Sequence, residues 1–415
     1  MKKLIFLIIS FCILIPCLEA QSLTYSYFIQ QVKNQNPEYL AAQLSNAQAQ
    51  AELSVAKKIN NPVLSAEYGN NSDKSMLMGQ SGSMELSQTL SFGRHSRIQS
   101  ASFAAQAAQS GMLYQQQGIV ADATKEFLNA LMLRDQCSIM KETVENMKKL
   151  YSADSIRKEK GDISPLDLMQ TRIESGLARQ DFRTKEAELN NALTLLDLLM
   201  NSHNQKTQHV VGELLKVENL YHLDTILPQA LLHRMDLDEA MNLVKSSQSE
   251  LKNIRMQRIP EMDIALGANY NARVRNEEAP APEFWGYTVG VSIPLPLSNI
   301  NRGEVKMGEF KVQEAQLLSQ SIEAQIRMEV TSAFNTYQMA KEKVKEFDAS
   351  FIQDAQQVLD GKMYAYFRGE SSLLEVIDAQ RTYNEIRLAY VESLYDLQCA
   401  LVDLEFSMGI WNYEL

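Results

Sequence analysis

Proline is missing from two long stretches of this 415-residue chain, between Pro62 and Pro165 and from Pro296 to the C-terminus. Proline removes a backbone donor and clashes with the preceding turn, so its absence permits helix over unusual lengths. In the second stretch apolar residues recur at Ala315, Leu318, Ile322, Ile326, Val330, Ala333, Tyr337, Ala340, Val344, Phe347, Phe351, Ala355 and Val358. These are 12 steps over 43 residues, a mean near 3.58. That is the period of a straight α-helix rather than the 3.5 of a strongly supercoiled pair. One helix from about Arg302 to Gly361 is expected, roughly 90 Å long at ~1.5 Å per residue. A soluble globular domain has no use for such a rod.

The chain reads as two copies of one unit. Asn36-Pro37-Glu38-Tyr39, a helical stretch and Asn61-Pro62 recur as Arg234-Met235-Asp236-Leu237 leading to Ile259-Pro260, an offset of 198 at both ends. Phe103, Ala108 and Phe127 match Phe310, Ala315 and Phe334 at an offset of 207, and the Gly161 turn matches Gly369 at 208. The expected organisation is a targeting segment, 1–20, and a first repeat, 21–201, of helix, β-hairpin (about 62–92) and long helix pair. An insertion, 202–225, precedes a second repeat, 226–415, with its hairpin at about 260–297.

Lys2 and Lys3, an apolar run from Leu4 to Leu18, and Ala20 form the pattern of a secretory signal peptide. A signal anchor is the alternative, but the apolar run is short for a spanning helix. Cys17 invites a lipoprotein reading, against which Pro16 occupies a position where a small residue is expected. Without this segment the chain carries 38 basic and 50 acidic residues, net charge -12. Such a balance argues against nucleic acid as a partner. Cys137 and Cys399 alone remain, too few for a disulfide framework. No later apolar run approaches the roughly 20 residues of a spanning helix, so the mature chain is soluble or crosses a membrane by β-strands.

After Pro62 and Pro260 the period changes from 3.6 to 2. Trp285, Tyr287, Val289, Val291, Ile293 and Leu295 alternate with Gly286, Thr288, Gly290 and Ser292. Met262, Ile264, Leu266, Ala268, Tyr270 and Ala272 alternate with Asp263, Ala265, Gly267, Asn269 and Asn271. The first copy does the same more loosely: Leu64, Ala66, Tyr68, then Met84, Leu86 and Leu90, face away from Ser65, Glu67, Glu85, Ser87 and Thr89. One apolar face over about 9–11 residues is the mark of a transmembrane strand. A water-soluble hairpin with one buried face shows the same alternation. Two matched hairpins beside long helices and a signal peptide favour the membrane. Four strands cannot close a barrel, so such a chain must oligomerise.

These features together resemble the TolC-like outer-membrane efflux proteins, from Leu23 to Gly409. The carriers are the Asn36-Pro37-Glu38 helix start, the Pro294-Leu295-Pro296-Leu297 strand exit, and the GESSLLEVIDA turn from Gly369 to Ala379. The resemblance implies a mainly α fold with transmembrane β: a long periplasmic helical barrel continued by a β-barrel to which each protomer gives four strands. It implies a homotrimer in outer-membrane lipid, working with a periplasmic adaptor (a membrane fusion protein) and an inner-membrane transporter. The expected role is the exit duct of a tripartite efflux system for small molecules or metal ions, with no enzyme activity and no cofactor. An exit duct for type I protein secretion is the alternative on the same fold. A soluble periplasmic coiled-coil scaffold or adaptor is the alternative of another class, and it needs no lipid-facing stripe.

By the same resemblance, Glu375 and Asp378 fall on the family's selectivity acids, Asp167 on an acidic partner in the first copy, and Tyr366 on a gating aromatic. Glu375 and Asp378, at i, i+3, share a helix face; threefold symmetry would turn them into rings that favour cations. An ordinary solvated helix start, where the dipole favours acids, accounts for the same residues. The chain departs from the family in having Ser371 where an arginine ties the closed tip, and Arg368 is the candidate replacement.

The five histidines, His95, His203, His209, His222 and His233, include no i, i+4 pair, and no zinc, catalytic or phosphate-loop pattern stands out. Met76 and Met78 in the first hairpin loop are soft-metal contacts or loop filler. Arg94, His95 and Arg97 form a basic helix entry suited to lipid head groups or to solubility. The hairpin loops, Asn70 to Gln80 and Arg273 to Glu283, are expected to face the exterior. Cysteines placed at Ser75 and Asn276 should then react with an impermeant thiol reagent on intact cells. Labelling only after outer-membrane lysis would reverse this topology.

Overall fold

The structure, a computed structural model, describes residues 22–70, 79–202, 207–216, 219–295, 300–347, 349–411 and 413. The targeting segment with Cys17, the loop residues Ser75, Met76 and Met78, and His203, Pro296 and Leu297 lie outside the described residues. Strand β1 (Ser22–Thr24) leads into α1 (Tyr25–Gln35) and α2 (Pro37–Ala56), then β2 (Val63–Asn70), β3 (Gln80–Leu90), α3 (Arg94–Lys160) and α4 (Pro165–Leu199). After β4 (His209–Val211) come α5 (Leu223–His233), α6 (Met235–Met256), β5 (Met262–Asn271), β6 (Phe284–Ser292), α7 (Arg302–Glu346), α8 (Ala349–Phe367) and α9 (Leu373–Met408). No helix among the described residues is long and apolar enough to cross a membrane.

The chain forms two compact units. One is built from the described parts of residues 1–42, 114–234 and 325–415, the other from those of 43–113 and 235–324.

In the second unit β2, β3, β5 and β6 make one antiparallel sheet in that order. Helix α6 packs on α3 through small polar contacts: Ser100 Oγ donates to the Ser246 carbonyl at 3.1 Å, and Ser110 Oγ to Asp238 at 2.5 Å. Arg94 and Arg97 have a role that their charge alone did not reveal. Arg94 donates to the Lys57 carbonyl at 2.7 Å, and Arg97 to those of Ala56 and Lys58 at 3.3 and 3.1 Å. Both guanidinium groups therefore cap the C-terminal end of α2, whose carbonyls lack helical partners.

In the first unit the core centres on Phe28, Phe127, Leu128 and Leu131, all fully buried. The Phe127 ring lies 5.5 Å from Phe28 and 5.6 Å from Tyr25, whose hydroxyl pairs with Thr124 at 3.0 Å. Strand β1 pairs in parallel with β4, Leu23 opposite Val210. The segment around β4 is fastened to the helices by its carbonyls. Arg134 donates to Val210 O, Gln398 to Leu215 O, and both Tyr337 and Lys341 to Asn219 O, each at 3.1 Å.

Helix α3 runs for 67 residues without a break, about 100 Å at the standard rise. Its counterpart does not. The single helix expected from Arg302 to Gly361 is two, since α7 stops at Glu346 and α8 begins at Ala349. At the break Phe347 sets its ring 6.4 Å from Phe351 and 6.0 Å from Tyr390. Aromatic pairs contribute about 0.5–1.5 kcal/mol each, the size of the net contribution of a backbone hydrogen bond, so these contacts offset the interruption. Strand β6 also ends earlier than the alternation suggested, at Ser292, two residues before Pro294.

Because Phe127 is fully buried between two aromatic partners, Phe127→Ala should destabilise the helical unit by about 3–5 kcal/mol. Thermal melting followed by helical circular dichroism measures it. An unshifted midpoint would mean that this aromatic cluster does not hold the unit.

Candidate functional site

The sheet sorts its residues by face in strict register. Leu64, Leu86, Leu266 and Val289 stand in one row across all four strands. Ala66, Met84, Ala268 and Tyr287 form the next, then Tyr68, Gly82, Tyr270 and Trp285. This face is exposed although it is apolar, with Tyr287 84% and Val289 77% accessible. Water would penalise such a surface by roughly 25 cal/mol per Å²; hydrocarbon would not. The row nearest the hairpin turns holds the aromatic residues, Tyr270 and Trp285 with rings 5.0 Å apart. Amphipathic rings at that level are typical of a membrane–water boundary.

The opposite face carries the rows Ser65–Glu85–Gly267–Thr288 and Glu67–Ser83–Asn269–Gly286. Its charged residues among the described strands are Glu67, Glu85 and Asp263, with no lysine or arginine. Thr89 donates to Asp263 at 2.5 Å. No described strand pairs with the outer edge of β2 or β6.

In the helical unit the two turns that join α3 to α4 and α8 to α9 are built alike. Gly161 and Gly369 adopt left-handed conformations, φ +81° and +79°, where a side chain would be strained. The following amides close each helix: Asp162 N donates to Arg157 O, and Glu370 N to Ala365 O, both at 2.9 Å. A serine then starts each second helix. Ser164 Oγ accepts from Asp167 N at 3.1 Å while Asp167 returns the bond to Ser164 N, a complete capping box. Ser372 Oγ accepts from Glu375 N at 3.3 Å. Asp167 and Glu375 thus hold the same third position of their helices, and Asp378 is exposed one turn on.

Glu375 has further partners. Lys362 Nζ lies 2.5 Å from its carboxylate, and Ser371 Oγ donates to it at 3.0 Å. These hydrogen bonds, that from Lys362 foremost, hold the Glu375 carboxyl down at about 2. Ser371, at the position where the resemblance led one to expect an arginine, is therefore a second donor to this acid. Arg368 does not take the arginine's place within the protomer: it pairs with Glu370 at 3.3 Å and donates to the Tyr364 hydroxyl at 3.1 Å.

Tyr366 is buried, 5% accessible, and faces a cluster that sequence reading missed. Its hydroxyl donates to Asp154 at 2.9 Å, and Thr171 donates to the same fully buried carboxylate at 2.6 Å. Arg157 reaches Asp154 at 3.8 Å and lies 4.7 Å from the Tyr366 ring centroid. Burial, then the bond to Asp154, pushes the Tyr366 hydroxyl well above its ordinary range. Around this knot pack Met147, Leu150, Leu373, Val376 and Ile377. A signal existed: Asp154 falls in register with the apolar series Met147, Leu150 along α3. Among the described residues no three His, Cys, Asp or Glu side chains gather as a metal would require.

An exposed apolar sheet face, a polar reverse and two open edges define a protein that contributes strands to a shared membrane barrel. The family follows from comparison. The chain belongs to the outer membrane efflux protein family, whose sequence profile matches residues 28–202 and again 226–410. It is an outer-membrane protein of efflux transport, in a family of channels rather than of enzymes. Among relatives, the cobalt-zinc-cadmium resistance protein CzcC of Cupriavidus metallidurans is 21% identical over 323 residues, 76% of this chain and 73% of that protein. The cation efflux system protein CusC of Escherichia coli K12 is 22% identical over 293 residues, 70% of this chain and 64% of that protein. The crystal structure of CusC shares the fold, with TM-score 0.76 and 18% identity over 93% of this chain and 92% of that one.

The Glu375 carboxyl sits below its ordinary value of 4.5, so its contacts add stability to the turn above that pH and lose it as pH falls toward about 2. Lys362→Met should return its titration toward the ordinary carboxylate range. Carbon-detected NMR titration of the glutamate carboxyls measures this, and an unmoved midpoint would remove Lys362 as the cause.

Proposed function

We propose that three copies of this chain form one outer-membrane barrel, the sheet unit in the membrane and the helical unit in the periplasm. The assembly serves as the exit duct of a tripartite system that expels metal cations. The observation that carries it is the sheet: four strands with an apolar face in register and both edges open. Unpaired backbone groups in hydrocarbon cost several kcal/mol each, and other copies of the same edges can satisfy them. A periplasmic adaptor and an inner-membrane transporter are the expected partners, since a passive duct needs a pump to drive cargo.

The cargo reading draws on the names of the relatives, a cobalt-zinc-cadmium resistance protein and a cation efflux protein. It agrees with the polar sheet face, whose described charges are all acidic, because lumen carboxylates favour cations and repel anions. At the helical tip Glu375, Asp378 and Asp167 add to that field, and Tyr366 acts as the gating aromatic through its bond to Asp154.

The test is reconstitution in planar bilayers after native mass measurement of the detergent-extracted particle. A trimer is expected, and a stable monomer would end the barrel reading. In a background opened by Tyr366→Phe, changing Glu375 and Asp378 together to Ala should lower the preference for cations. The effect should persist at physiological ionic strength where an ion passes these acids within the Debye length of about 8 Å. Unchanged selectivity would reduce these acids to helix capping.

A further inference from the structure

We propose that Arg273 and Arg275 make the outer mouth of the pore an electrostatic barrier, so that the channel passes cations outward more readily than inward. The proposal rests on the barrel reading above and adds a direction to it.

The pairing of β5 with β6 continues beyond the strand ends. Asn271 stands opposite Phe284, and three residues on Val274 stands opposite Ala281, so the register is unbroken. Val274 N donates to Ala281 O at 2.9 Å, and Ala281 N to Val274 O at 3.3 Å. On the β3 side Ala272 N donates to Gln80 O at 2.8 Å. A ribbon paired in this way keeps the two-residue alternation of its side chains. Arg273 and Arg275 therefore continue the polar face that holds Asn269 and Asn271. A contact on the other face checks the assignment. Glu283, two residues before Trp285, falls on the apolar side, and it accepts from the Tyr270 hydroxyl of that side's aromatic row at 3.3 Å.

Both arginines are exposed, and neither forms an ion pair among the described residues. By the same register they stand opposite Pro282 and Pro280, which carry no charge. Glu277 and Glu278 lie further out, in the turn that Asn276 opens by accepting from Glu278 N at 2.8 Å. The polar face is thus divided along its length. Asp263, Glu85 and Glu67 occupy the strands, with Glu67 in the row of Asn269. Arg273 follows about 13 Å beyond that row, at ~3.3 Å per residue.

Threefold repetition turns each of these charges into a ring. Acidic rings gather cations, and basic rings repel them and gather anions. In water one charge at ~8 Å lowers the local cation occupancy about twofold. A voltage that drives cations from the acidic zone toward the basic one draws anions in from the opposite end. Both ions then accumulate at the boundary and the current is high. The reverse voltage empties the boundary and the current falls. The equilibrium is untouched, but the return of expelled cations is slowed.

The experiment records currents through trimers of the full chain in planar bilayers. The background is Tyr366→Phe with Glu375→Ala and Asp378→Ala, so that the tip is open and its acids add no asymmetry. Orientation is known, because the helical unit has no described helix able to span the bilayer and stays on the side of addition. At about 10 mM KCl, where the Debye length is about 30 Å, the current with cations leaving that side should exceed the reverse by about twofold or more. At about 1 M, where the length is about 3 Å, the two should converge. Arg273→Gln with Arg275→Gln, both outside the strands, should bring the low-salt ratio to about one. Arg273→Lys with Arg275→Lys should keep it. A symmetric low-salt current, the opposite sign, or an asymmetry that survives the glutamine pair would overturn the proposal while leaving the barrel intact. Absence of conducting trimers would remove the barrel reading, and the proposal with it.

Discussion

A β-sheet in hydrocarbon has no water to satisfy its edges, and that single fact governs this chain. β2 and β6 present open edges, and the sheet between them turns an apolar face outward in unbroken register. Bending four strands into a closed cylinder is not possible, because closure requires enough strands to leave room for interior side chains. The edges must meet further strands. The same demand explains the strand lengths, 8, 11, 10 and 9 residues, which are near those needed to cross a bilayer at a tilt. It also explains why the hydrophobic surface of the chain is not all in a core.

Where the helices join, the two halves of the chain solve one problem with different chemistry. Before α2, Asn36 Oδ1 accepts from the amides of Glu38 and Tyr39, while its Nδ2 donates to the Leu199 carbonyl at the end of α4. Before α6, Arg234 takes the corresponding place. It donates to the Ser407 carbonyl near the end of α9, pairs with Glu329 at 2.8 Å and lies over the Tyr114 ring. The first anchor is neutral. The second buries a guanidinium that must be compensated, and removing one partner of such a pair typically costs about 3–5 kcal/mol. The two halves therefore tolerate different substitutions at equivalent points.

Much of this was legible in the sequence because the membrane enforces simple periods. Alternation of Trp285, Tyr287, Val289 and Val291 with small or polar residues survives as an exposed stripe, since lipid tolerates no exceptions along it. The long helices were legible from spacing and from the lack of proline. The break after Glu346 was not, because Phe347 and Phe351 keep the apolar stripe in phase across it. Likewise the helix start that carries Glu375 and Asp378 could be placed by motif, but the partner Lys362 could not. Its contact spans 13 residues across a turn whose geometry depends on Gly369 and its left-handed backbone. Asp154 was visible only as a carboxylate out of character in an apolar series, and its donors Thr171 and Tyr366 come from two other helices.

The tip also shows why counting acids misjudges a field. Glu375 is a helix-capping acid, a salt-bridge partner and an acceptor for Ser371 at once. With Lys362 at 2.5 Å its charge is largely a local dipole, and a dipole falls off faster with distance than a charge does. Asp167 is similarly engaged in capping α4. Asp378, exposed beyond the first turn, is not drawn into the cap and keeps a fuller charge. On the sheet the polar face offers Glu67 and Glu85 with no described basic neighbour on the strands. On the proposed reading, a cation drawn along such a path would be held weakly at many places rather than tightly at one. That is the condition for conduction, because a site that binds strongly enough to select by itself would also refuse to let go.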